Sequence, residues 1–263
     1  MFCNKYIKFE AFRKYASDLF NCDYIATGHY AKIKHDKNGT FLLMPKDLSK
    51  DQTYFLSDLN QDQLANVIFP LANLTKVEVR AIAKKIKLPN WDRKDSMGIC
   101  FIGKRQFQEF LANYIPNQPG NILDIKTKKV VGKHIGTMYY TLGQNKQLHL
   151  SGANTKYFVC DKDVKNKIIY VCPANKKNKY LSSSRCQLAS FNFINPSLAN
   201  DLSNLKVRFR HLQKLIKVKS LKHINNKWIL SYSPTLAVTP GQYAVLYKNK
   251  TCIGCGEIRR IIK

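Results

Sequence analysis

Four short segments of the chain place reactive or phosphate-seeking side chains beside small residues, and the first begins at Cys3. Cys3 directly precedes a helical pattern and has Lys5 and Lys8 nearby. Cations and a helix N-terminus both lower the pKa of a thiol, so Cys3 is a candidate thiolate nucleophile. A frayed cysteine without a chemical role fits the same residues.

The second segment, residues 26–30, reads Ala-Thr-Gly-His-Tyr and follows a predicted strand. Ligands of α/β domains bind beyond the carboxyl ends of strands, and glycine lets a backbone approach a nucleotide. Gly28 and His29 are therefore candidate ligand contacts. A plain turn explains them equally well.

The third segment contains Lys50, Asp51 and Gln52, followed by Tyr54 and Phe55. Lys50 can contact a phosphate, Gln52 can hydrogen-bond a base or sugar, and the aromatic rings can stack on a base. A helix cap followed by core aromatic residues is the alternative interpretation.

The fourth segment carries Cys100 between Gly98 and Gly103, with Lys94 and Lys104 on either side. A glycine-flanked loop can present a cysteine for attack, and the lysines favour its thiolate. A buried structural cysteine is the alternative, because free cysteines are commonly buried.

Cys252 and Cys255 form a Cys-x-x-Cys pair, a spacing found in zinc and redox sites. A structural zinc takes four ligands, and the sequence has neither a second such pair nor a spaced pair of histidines. The pair also lies in a strand pattern. We therefore expect no metal site, and a zinc protein built around this pair is kept as a third hypothesis.

Hydrophobic spacing predicts the elements that position these segments. Apolar residues recur at intervals of three and four from Lys5 to Phe20, which predicts an amphipathic helix. Residues 23–27 read as a short buried strand, and further helices are predicted over residues 61–68, 76–86 and 105–114. The first hundred residues are therefore predicted to be mixed α/β.

After Pro116 the pattern changes to short strands separated by Gly, Asn and Pro. Strands are predicted over residues 129–131, 137–141, 157–160, 168–172, 206–210, 215–218, 228–232, 243–247 and 258–262. Residues 225–227 and 248–250 are predicted hairpin turns. The later strands have the spacing of a small β-barrel.

The composition describes a folded and strongly basic protein. The chain has 263 residues, 44% of them hydrophobic, with 44 Lys and Arg against 17 Asp and Glu and a net charge of +27. No apolar stretch approaches the roughly 20 residues that span a bilayer, so we expect no membrane segment and a cytoplasmic location. The eight scattered cysteines are expected to be free thiols.

The positive charge is unevenly distributed. Residues 1–103 hold 16 basic and 11 acidic residues, residues 104–180 hold 14 and 4, and residues 181–263 hold 14 and 2. Basic surfaces bind polyanions because each neutralised phosphate releases counterions. Nucleic acid is therefore the first partner to consider, mostly in the C-terminal two-thirds, although compositional drift also produces lysine-rich chains.

In their order along the chain, seven segments resemble the bacterial tRNA-specific 2-thiouridylase family. They read CNKYIKFEAF, DYIATGHYAKI, SKDQTYFL, KDSMGICFIGKRQFQEFL, GTMYYTLGQ, YFVCDKDVKNKIIYV and AVTPGQYAVLY. The resemblance implies the C-terminal part of an adenine nucleotide alpha hydrolase-like α/β domain (residues 1–103), a central β domain (104–180) and a C-terminal tRNA-binding β-barrel (181–263). It also implies 2-thiolation of the wobble uridine of tRNA.

The resemblance assigns a role to each segment. Cys100 resembles the cysteine that carries a persulfide, Cys3 resembles the cysteine that pairs with it as a disulfide, and Gly28 resembles a contact to ATP. The residues that resemble tRNA contacts are His29, Lys50, Asp51, Gln52, Arg208, Phe209 and Gln242. The implied cofactors and partners are ATP with Mg²⁺, tRNA and a sulfur-relay donor protein.

One feature of the family is missing from these 263 residues. Family members begin with a glycine-rich phosphate loop and an acidic residue before the first cysteine, and no two of the 12 glycines here are adjacent. Three explanations stay open: another chain supplies the phosphate loop, the gene has lost it, or it lies outside these 263 residues. The alternative is a catalytically incomplete remnant that only binds tRNA.

Overall fold

The chain forms two compact units in a computed structural model that describes residues 1–93, 107–150 and 155–262. The first unit draws its residues from Met1–Asp92, Ser184–Ser233 and Pro240–Lys263. The second draws them from Arg93–Ser183 and Pro234–Thr239. The N-terminal segment and most of the C-terminal strands therefore belong to one unit, and the middle of the chain forms most of the other.

The helices confirm most of the sequence-based expectations. They are a π-helix at Cys3–Phe12, α1 at Arg13–Phe20, α2 at Thr53–Leu56, α3 at Gln61–Ala65, α4 at Lys76–Lys85, α5 at Phe107–Ala112 and α6 at Lys177–Leu181. Capping boxes begin α3 at Asn60 and α4 at Thr75, and each satisfies backbone N–H groups that the helix leaves free. Within the described ranges, no helix is both long enough and apolar enough to cross a membrane.

The strands follow the helices in chain order. They are β1 at Ile25–Ala26, β2 at Lys32–Asp36, β3 at Gly39–Leu43, β4 at Val67–Ile68, β5 at Gly120–Asp124, β6 at Val130–His134, β7 at Tyr157–Asp163, β8 at Ile168–Pro173, β9 at Ser182–Leu188, β10 at Asn192–Phe193, β11 at Lys206–Arg208, β12 at Ile216–Ile224, β13 at Lys227–Leu236, β14 at Tyr243–Lys248 and β15 at Thr251–Ile261.

The helix predicted over residues 61–68 is too long. It ends at Ala65, and β4 follows and pairs in parallel with β1, with Ile25 opposite Val67. Two β-branched residues, Val67 and Ile68, form this strand, and such residues favour a pleated and half-buried surface. The strand pairing therefore overrides the helical periodicity.

The C-terminal strands close into the predicted barrel. Their order is β14-β11-β12-β13-β9-β15, and pairing between β14 and β15 closes the ring of six. Asn225 and Asn226 both have positive φ in the tight turn between β12 and β13, and Asn249 has positive φ in the turn before β15. Both predicted hairpin turns are confirmed.

The N-terminal segment and the barrel share one hydrophobic core. The unpredicted hairpin of β2 and β3 joins the barrel sheet, because Leu43 pairs with Thr251 of β15. The shared core includes Phe9 and Leu56 from the helices and Tyr247 and Cys252 from the barrel. The barrel is therefore the surface against which the N-terminal segment folds.

The second unit is built on a sheet of order β6-β5-β8-β7. Residues 137–141 were predicted to form a strand, but Thr137–Tyr139 forms a 3₁₀ turn. Tyr139 and Tyr140 are consecutive and both buried, whereas consecutive residues of a strand point to opposite faces. The turn brings both rings into the core, so the strand prediction was wrong.

A β-bulge explains why Cys252 and Cys255 lie in the same core. The register of β14 and β15 shifts between Leu246 and Tyr247, so one extra residue of β15 changes the alternation of its side chains. Gly254 sits in this bulge with φ +150°, and a Cβ there would lie 1.9 Å from the backbone oxygen of Asn192. Only glycine lets β10 approach so closely.

We predict that Gly254→Ala destabilises the protein by about 3 kcal/mol or more, since it adds a backbone clash to an unfavourable φ. Gly241→Ala is the matched control, because Gly241 also has positive φ but no atom within 4 Å of an added Cβ. The control should lose about 1 kcal/mol. Urea unfolding measures both, and equal losses would show that β10 does not pack against the bulge as described.

Candidate active site

One pocket of about 400 Å³ lies in the first unit. It is lined by Lys8, Phe12, Thr27, Gly28, His29 and Gln52. Three of these residues, Gly28, His29 and Gln52, are candidate ligand contacts in the sequence. They come from two segments more than twenty positions apart, so the fold brings together two independently predicted clusters.

The π-helix supplies one wall of the pocket. Its buried Phe9 packs its ring 5.7 Å from the ring of His29 and 6.3 Å from that of Phe69. Lys8 and Phe12, which line the pocket, were not predicted as site residues. They are four residues apart, a spacing that places side chains on one helical face, and this was the available signal.

The loop after β1 supplies a second wall. The backbone N–H of Thr27 donates to the oxygen of Ile68 at 3.0 Å and so continues the parallel pairing of β1 and β4. A Cβ added at Gly28 would meet no atom within 4 Å. Open space therefore borders the Gly28 backbone beyond the carboxyl end of β1, where ligands of α/β folds bind.

Gln52 is fixed by two hydrogen bonds to one residue. Its backbone N–H donates to the oxygen of Tyr30 at 2.9 Å, and its side-chain Oε1 accepts the Tyr30 N–H at 2.8 Å. These bonds hold the 50–52 segment against the 27–30 loop. With Oε1 occupied, the Nε2 amide is the group of this side chain that can donate to a ligand.

His29 is a neutral polar group within an aromatic setting. Its Nδ1 lies 2.9 Å from Thr27 Oγ1, and its ring is 6.0 Å from that of Phe69. Burial, and secondly the positive charge of Lys8, lowers the pKa of His29 to about 4. The imidazole is therefore uncharged at neutral pH, so a hydrogen bond from it to a ligand would add no charge.

A buried ion pair involves Asp51, which is next in sequence to Gln52 of the pocket. Asp51 is fully buried and Arg208 is 8% exposed, and Arg208 Nη1 lies 2.5 Å from Asp51 Oδ2. The other carboxylate oxygen accepts from Thr53 Oγ1 at 2.6 Å and from its N–H at 3.0 Å. His211 Nε2 lies 2.8 Å from the backbone oxygen of Asp51. This network ties the 50–52 segment to the barrel.

Several of the side chains that were predicted to contact tRNA are therefore buried. The Phe209 ring is 1% exposed and packs 4.7 Å from Tyr232, and Asp51 and Arg208 are enclosed by their mutual bonds. Lys50 and Gln242 keep part of their surface exposed. The tRNA roles of these residues stay predictions. Asp51 accepts the N–H of Thr53, the first residue of α2, in agreement with the helix-cap alternative, whereas the sequence indicated no structural role for Arg208 or Phe209.

The structure describes only one of the two cysteines in the predicted pair. Cys3 is a half-buried free thiol at the first position of the π-helix, whereas Cys100 lies outside the described residues. Among the thiols of the barrel, burial raises the pKa of both Cys186 and Cys255 to about 12. The pairing of Cys3 with Cys100 stays a prediction.

The Cys-x-x-Cys pair is surrounded by core side chains rather than by ligands. Cys252 and Cys255 are at most 1% exposed. In the described part of the chain, no group of three or more His, Cys, Asp or Glu side chains could hold a metal ion. A zinc site at this pair therefore has no support among those residues.

Three protein-family models match successive parts of the chain. Residues 1–104 match the family described as tRNA methyl transferase HUP domain, residues 108–173 match its PRC-barrel domain, and residues 183–258 match the aminomethyltransferase beta-barrel domain. These matches and the barrel described above confirm the predicted fold class of an α/β segment followed by β domains.

Three similar proteins carry one and the same name. The chain is 52% identical over 260 residues to the tRNA-specific 2-thiouridylase MnmA of Ureaplasma parvum. This match covers 98% of the present chain and 67% of the relative. It is 49% identical over 269 aligned residues to the protein of that name from Mycoplasma mycoides, and this match covers 99% of the present chain and 71% of the relative. The protein of that name from Mycoplasma mobile is 49% identical over 261 residues, and the match covers 99% of the present chain and 68% of that relative.

We predict that the His29 imidazole titrates near pH 4 in the folded protein, and NMR titration against a His29→Gln variant measures this. An unfolded histidine titrates near pH 6.5, so protonation favours unfolding. The stability that comes from the neutral ring is complete above about pH 6.5 and is lost as the pH falls towards 4. Between pH 6.5 and 4.5, the wild type should lose more unfolding free energy than His29→Gln. A His29 midpoint near 6.5 would contradict the buried ring.

We predict that Asp51→Asn and Arg208→Met each destabilise the protein by about 3 kcal/mol or more, since each leaves a buried charge without its partner. The double variant should lose much less than the sum of the single losses. Urea unfolding of the three variants measures the coupling. Unchanged stability in the single variants would indicate that both side chains are free on the surface.

Proposed function

The chain belongs to the tRNA-specific 2-thiouridylase family, and we propose that it acts in the replacement of O2 of the wobble uridine in tRNA by sulfur. Support for this proposal comes from relatives about 50% identical over nearly the whole chain. The observation that carries it is the meeting of Gly28, His29 and Gln52 in one pocket. In the family pattern, the first contacts ATP and the other two contact tRNA.

The pocket has the size and polarity for a nucleoside. Its volume of about 400 Å³ lies within the range of small-molecule sites, and the open space beside Gly28 admits a close backbone contact. Lys8 is the one cation among the described residues that line it. The described residues thus fit a nucleoside, and none of them is assigned to the rest of a triphosphate or to its Mg²⁺.

The tRNA side of the pocket is polar and uncharged. His29 and the Nε2 amide of Gln52 offer hydrogen bonds to the uracil edge or the ribose, and neither group adds charge at neutral pH. Phe12 and the ring of His29, which packs against Phe69, give the same space an apolar wall. The pocket walls therefore orient a splayed-out nucleotide, which is how single-stranded RNA is recognised in its loops.

The sulfur step that we propose uses two cysteines. Bound ATP would supply the adenylyl group that turns O2 of the uracil into a leaving group, with the bond between its α- and β-phosphates broken and pyrophosphate released. The terminal sulfur of a Cys100 persulfide bonds to C2, AMP departs with O2, and the Cys3 thiolate attacks Cys100 Sγ. That attack forms the Cys3–Cys100 disulfide and leaves the second sulfur on C2. A sulfur-relay donor reloads Cys100 after a dithiol reduces the disulfide.

The remaining assignments follow from the same proposal. We propose the domain division at residues 1–103, 104–180 and 181–263, a cytoplasmic location, and tRNA binding centred on the C-terminal two-thirds. The charge distribution supports the last point, because residues 181–263 hold 14 basic and 2 acidic residues. A phosphate-loop segment of the family is proposed to complete the ATP site.

We predict that a persulfide donor loads sulfur on Cys100 in the wild type and in Cys3→Ser, but not in Cys100→Ser. Cys22→Ser is the matched control, because Cys22 is also half-buried and has no assigned role. Cys3→Ser should form no more than about one tenth of the wild-type 2-thiouridine, since sulfur release needs the second thiol. Mass spectrometry of protein and digested tRNA measures both products, with ATP and a phosphate-loop segment present.

Three outcomes contradict the proposal or part of it. Sulfur loading on Cys100→Ser equal to that on the wild type would assign the persulfide to another cysteine. Binding of tRNA without any loading on Cys100 would favour the alternative in which the chain only binds tRNA. Thiouridine formed at the wild-type rate by Cys3→Ser would remove the role of the second cysteine.

A further inference from the structure

The π-helix at Cys3–Phe12 is a feature that the proposed function does not explain. Its 10 residues exceed the single turn in which π-helical geometry mostly occurs, and such turns are frequent at functional sites. Hydrogen bonds of a π-helix span five residues instead of four, so positions five apart return to about the same face. Cys3, the second thiol of the proposed sulfur step, is the first residue of this helix.

The burial of side chains follows the wide spacing of the π-helix. Asn4 is 7% exposed and Phe9 is fully buried, although they are five residues apart, and Tyr6 and Ile7 between them are exposed. In an α-helix, with about 3.6 residues per turn, two side chains five residues apart are separated by about 140° around the axis. The two residues therefore share one buried face because the helix is a π-helix.

The same spacing places Cys3 on the face of the helix that lines the pocket. Lys8 and Phe12 line the pocket, and Cys3 is a half-buried thiol five residues before Lys8. In an α-helix, Lys8 and Phe12 would still share a face, because they are four residues apart. Cys3 would then lie about 140° from Lys8. The register of the helix therefore decides whether Cys3 lies on the pocket face, and it leaves the rest of this wall unchanged.

Three polar contacts attach the first turn of the π-helix to residues 55–63. Asn4 Nδ2 donates to the backbone oxygen of Phe55 at 3.0 Å. Gln63 Nε2 donates to the backbone oxygen of Lys5 at 2.9 Å, and Lys5 Nζ lies 3.1 Å from Asp58 Oδ2. Two of these contacts, those of Asn4 and Gln63, fix the helix through amide groups that are themselves buried.

The contact of Asn4 requires the π-helical register. Phe9 is held in the core, with its ring 5.7 Å from that of His29 and 6.3 Å from that of Phe69. If Phe9 stays in place, an α-helical register carries Asn4 about 140° around the axis and away from Phe55. The buried amide and the carbonyl would then lose their hydrogen bond, which is costly for buried polar groups.

We infer that Asn4 and Gln63 are positioning residues of the sulfur step, which hold the helix in the π register and thereby keep Cys3 on the pocket face. Neither is among the described residues that line the pocket, so both act through Cys3. The inference rests on the proposed function for the role of Cys3. The register itself is a property of the chain and is measured without any substrate.

The first test measures the register by disulfide formation in the full-length chain. Cys22→Ser and Cys100→Ser leave Cys3 as the one cysteine that is not buried, since the other five are buried. Lys8→Cys or Tyr6→Cys then adds a second thiol five or three residues away, and diamide oxidises each pair. A disulfide needs Cα atoms within about 7 Å. Positions five apart are about 8.7 Å apart in an α-helix, whereas positions three apart are neighbours there.

Mass spectrometry of the linked peptides should show at least about five times more disulfide with Lys8→Cys than with Tyr6→Cys, because the π register brings positions five apart together. Adding Asn4→Ala or Gln63→Glu should shift linkage towards Tyr6→Cys. Gln63→Glu keeps the oxygen of the capping box at α3 and removes the N–H that the helix carbonyl accepts. Glu10→Ala is the matched control, an exposed residue of the same helix that should leave the preference unchanged.

The second test measures the reaction with all cysteines native and with ATP and a phosphate-loop segment present. Asn4→Ala should form 2-thiouridine about 10- to 100-fold more slowly at saturating tRNA, because a displaced thiol attacks poorly. KM for tRNA should change less than about twofold, and sulfur loading on Cys100 should be unchanged. A general loss of structure would change all three quantities together, and Glu10→Ala should change none of them.

The outcomes separate the inference from the proposed function. Linkage with Tyr6→Cys that equals or exceeds linkage with Lys8→Cys overturns the inference, and so does an unchanged preference in both Asn4→Ala and Gln63→Glu. Formation of 2-thiouridine by Asn4→Ala at the wild-type rate overturns the positioning role. No 2-thiouridine from the wild type, together with the expected linkage preference, overturns the proposed function and the role of Cys3 but supports the register.

Discussion

The ion pair between Asp51 and Arg208 is the constraint on which the first unit depends. Two charges this deeply buried are stable only together, since either one alone would keep its desolvation cost without compensation. Asp51 belongs to the segment that carries Gln52 into the pocket, and Arg208 belongs to the barrel. The barrel therefore sets the position of one wall of the pocket, although the two regions are more than 150 residues apart in the chain.

This constraint explains how a pocket with few polar groups keeps its shape. Gln52 is fixed to Tyr30 through both its backbone and its side chain, and Tyr54 donates its hydroxyl to the backbone oxygen of Phe209 at 3.0 Å. The neutral His29 needs no counter-charge, because burial and Lys8 disfavour its protonation. His29 and Gln52 are thus uncharged groups already held in place, so that binding a ligand does not require the cost of ordering them.

Much of the fold was predictable from local pattern, and the site only in part. The amphipathic helix, most strands and the Asn225–Asn226 turn have local signals in spacing and turn chemistry. Gly28 and His29 stood out by residue type and by their position after a strand, and Gln52 stood out by its residue type beside Lys50. The sequence did not show that Asp51 and Arg208 pair, because burial and a long-range ion pair leave no local periodic signal. The strand prediction over residues 137–141 was wrong for a similar reason. The packing of both Tyr139 and Tyr140 into the core determined the backbone conformation there, and local sequence does not show such packing.

The central claim is that the target nucleotide of a tRNA enters the pocket beside Gly28, His29 and Gln52. Photo-cross-linking tests it most directly, using tRNA with 5-iodouridine at the wobble position and mass spectrometry of the linked peptides. The account predicts that cross-links map to the 26–30 loop, to the 50–55 segment or to the π-helix, and that unlabelled tRNA abolishes them by competition. Competed cross-links that all lie outside these three segments would contradict it.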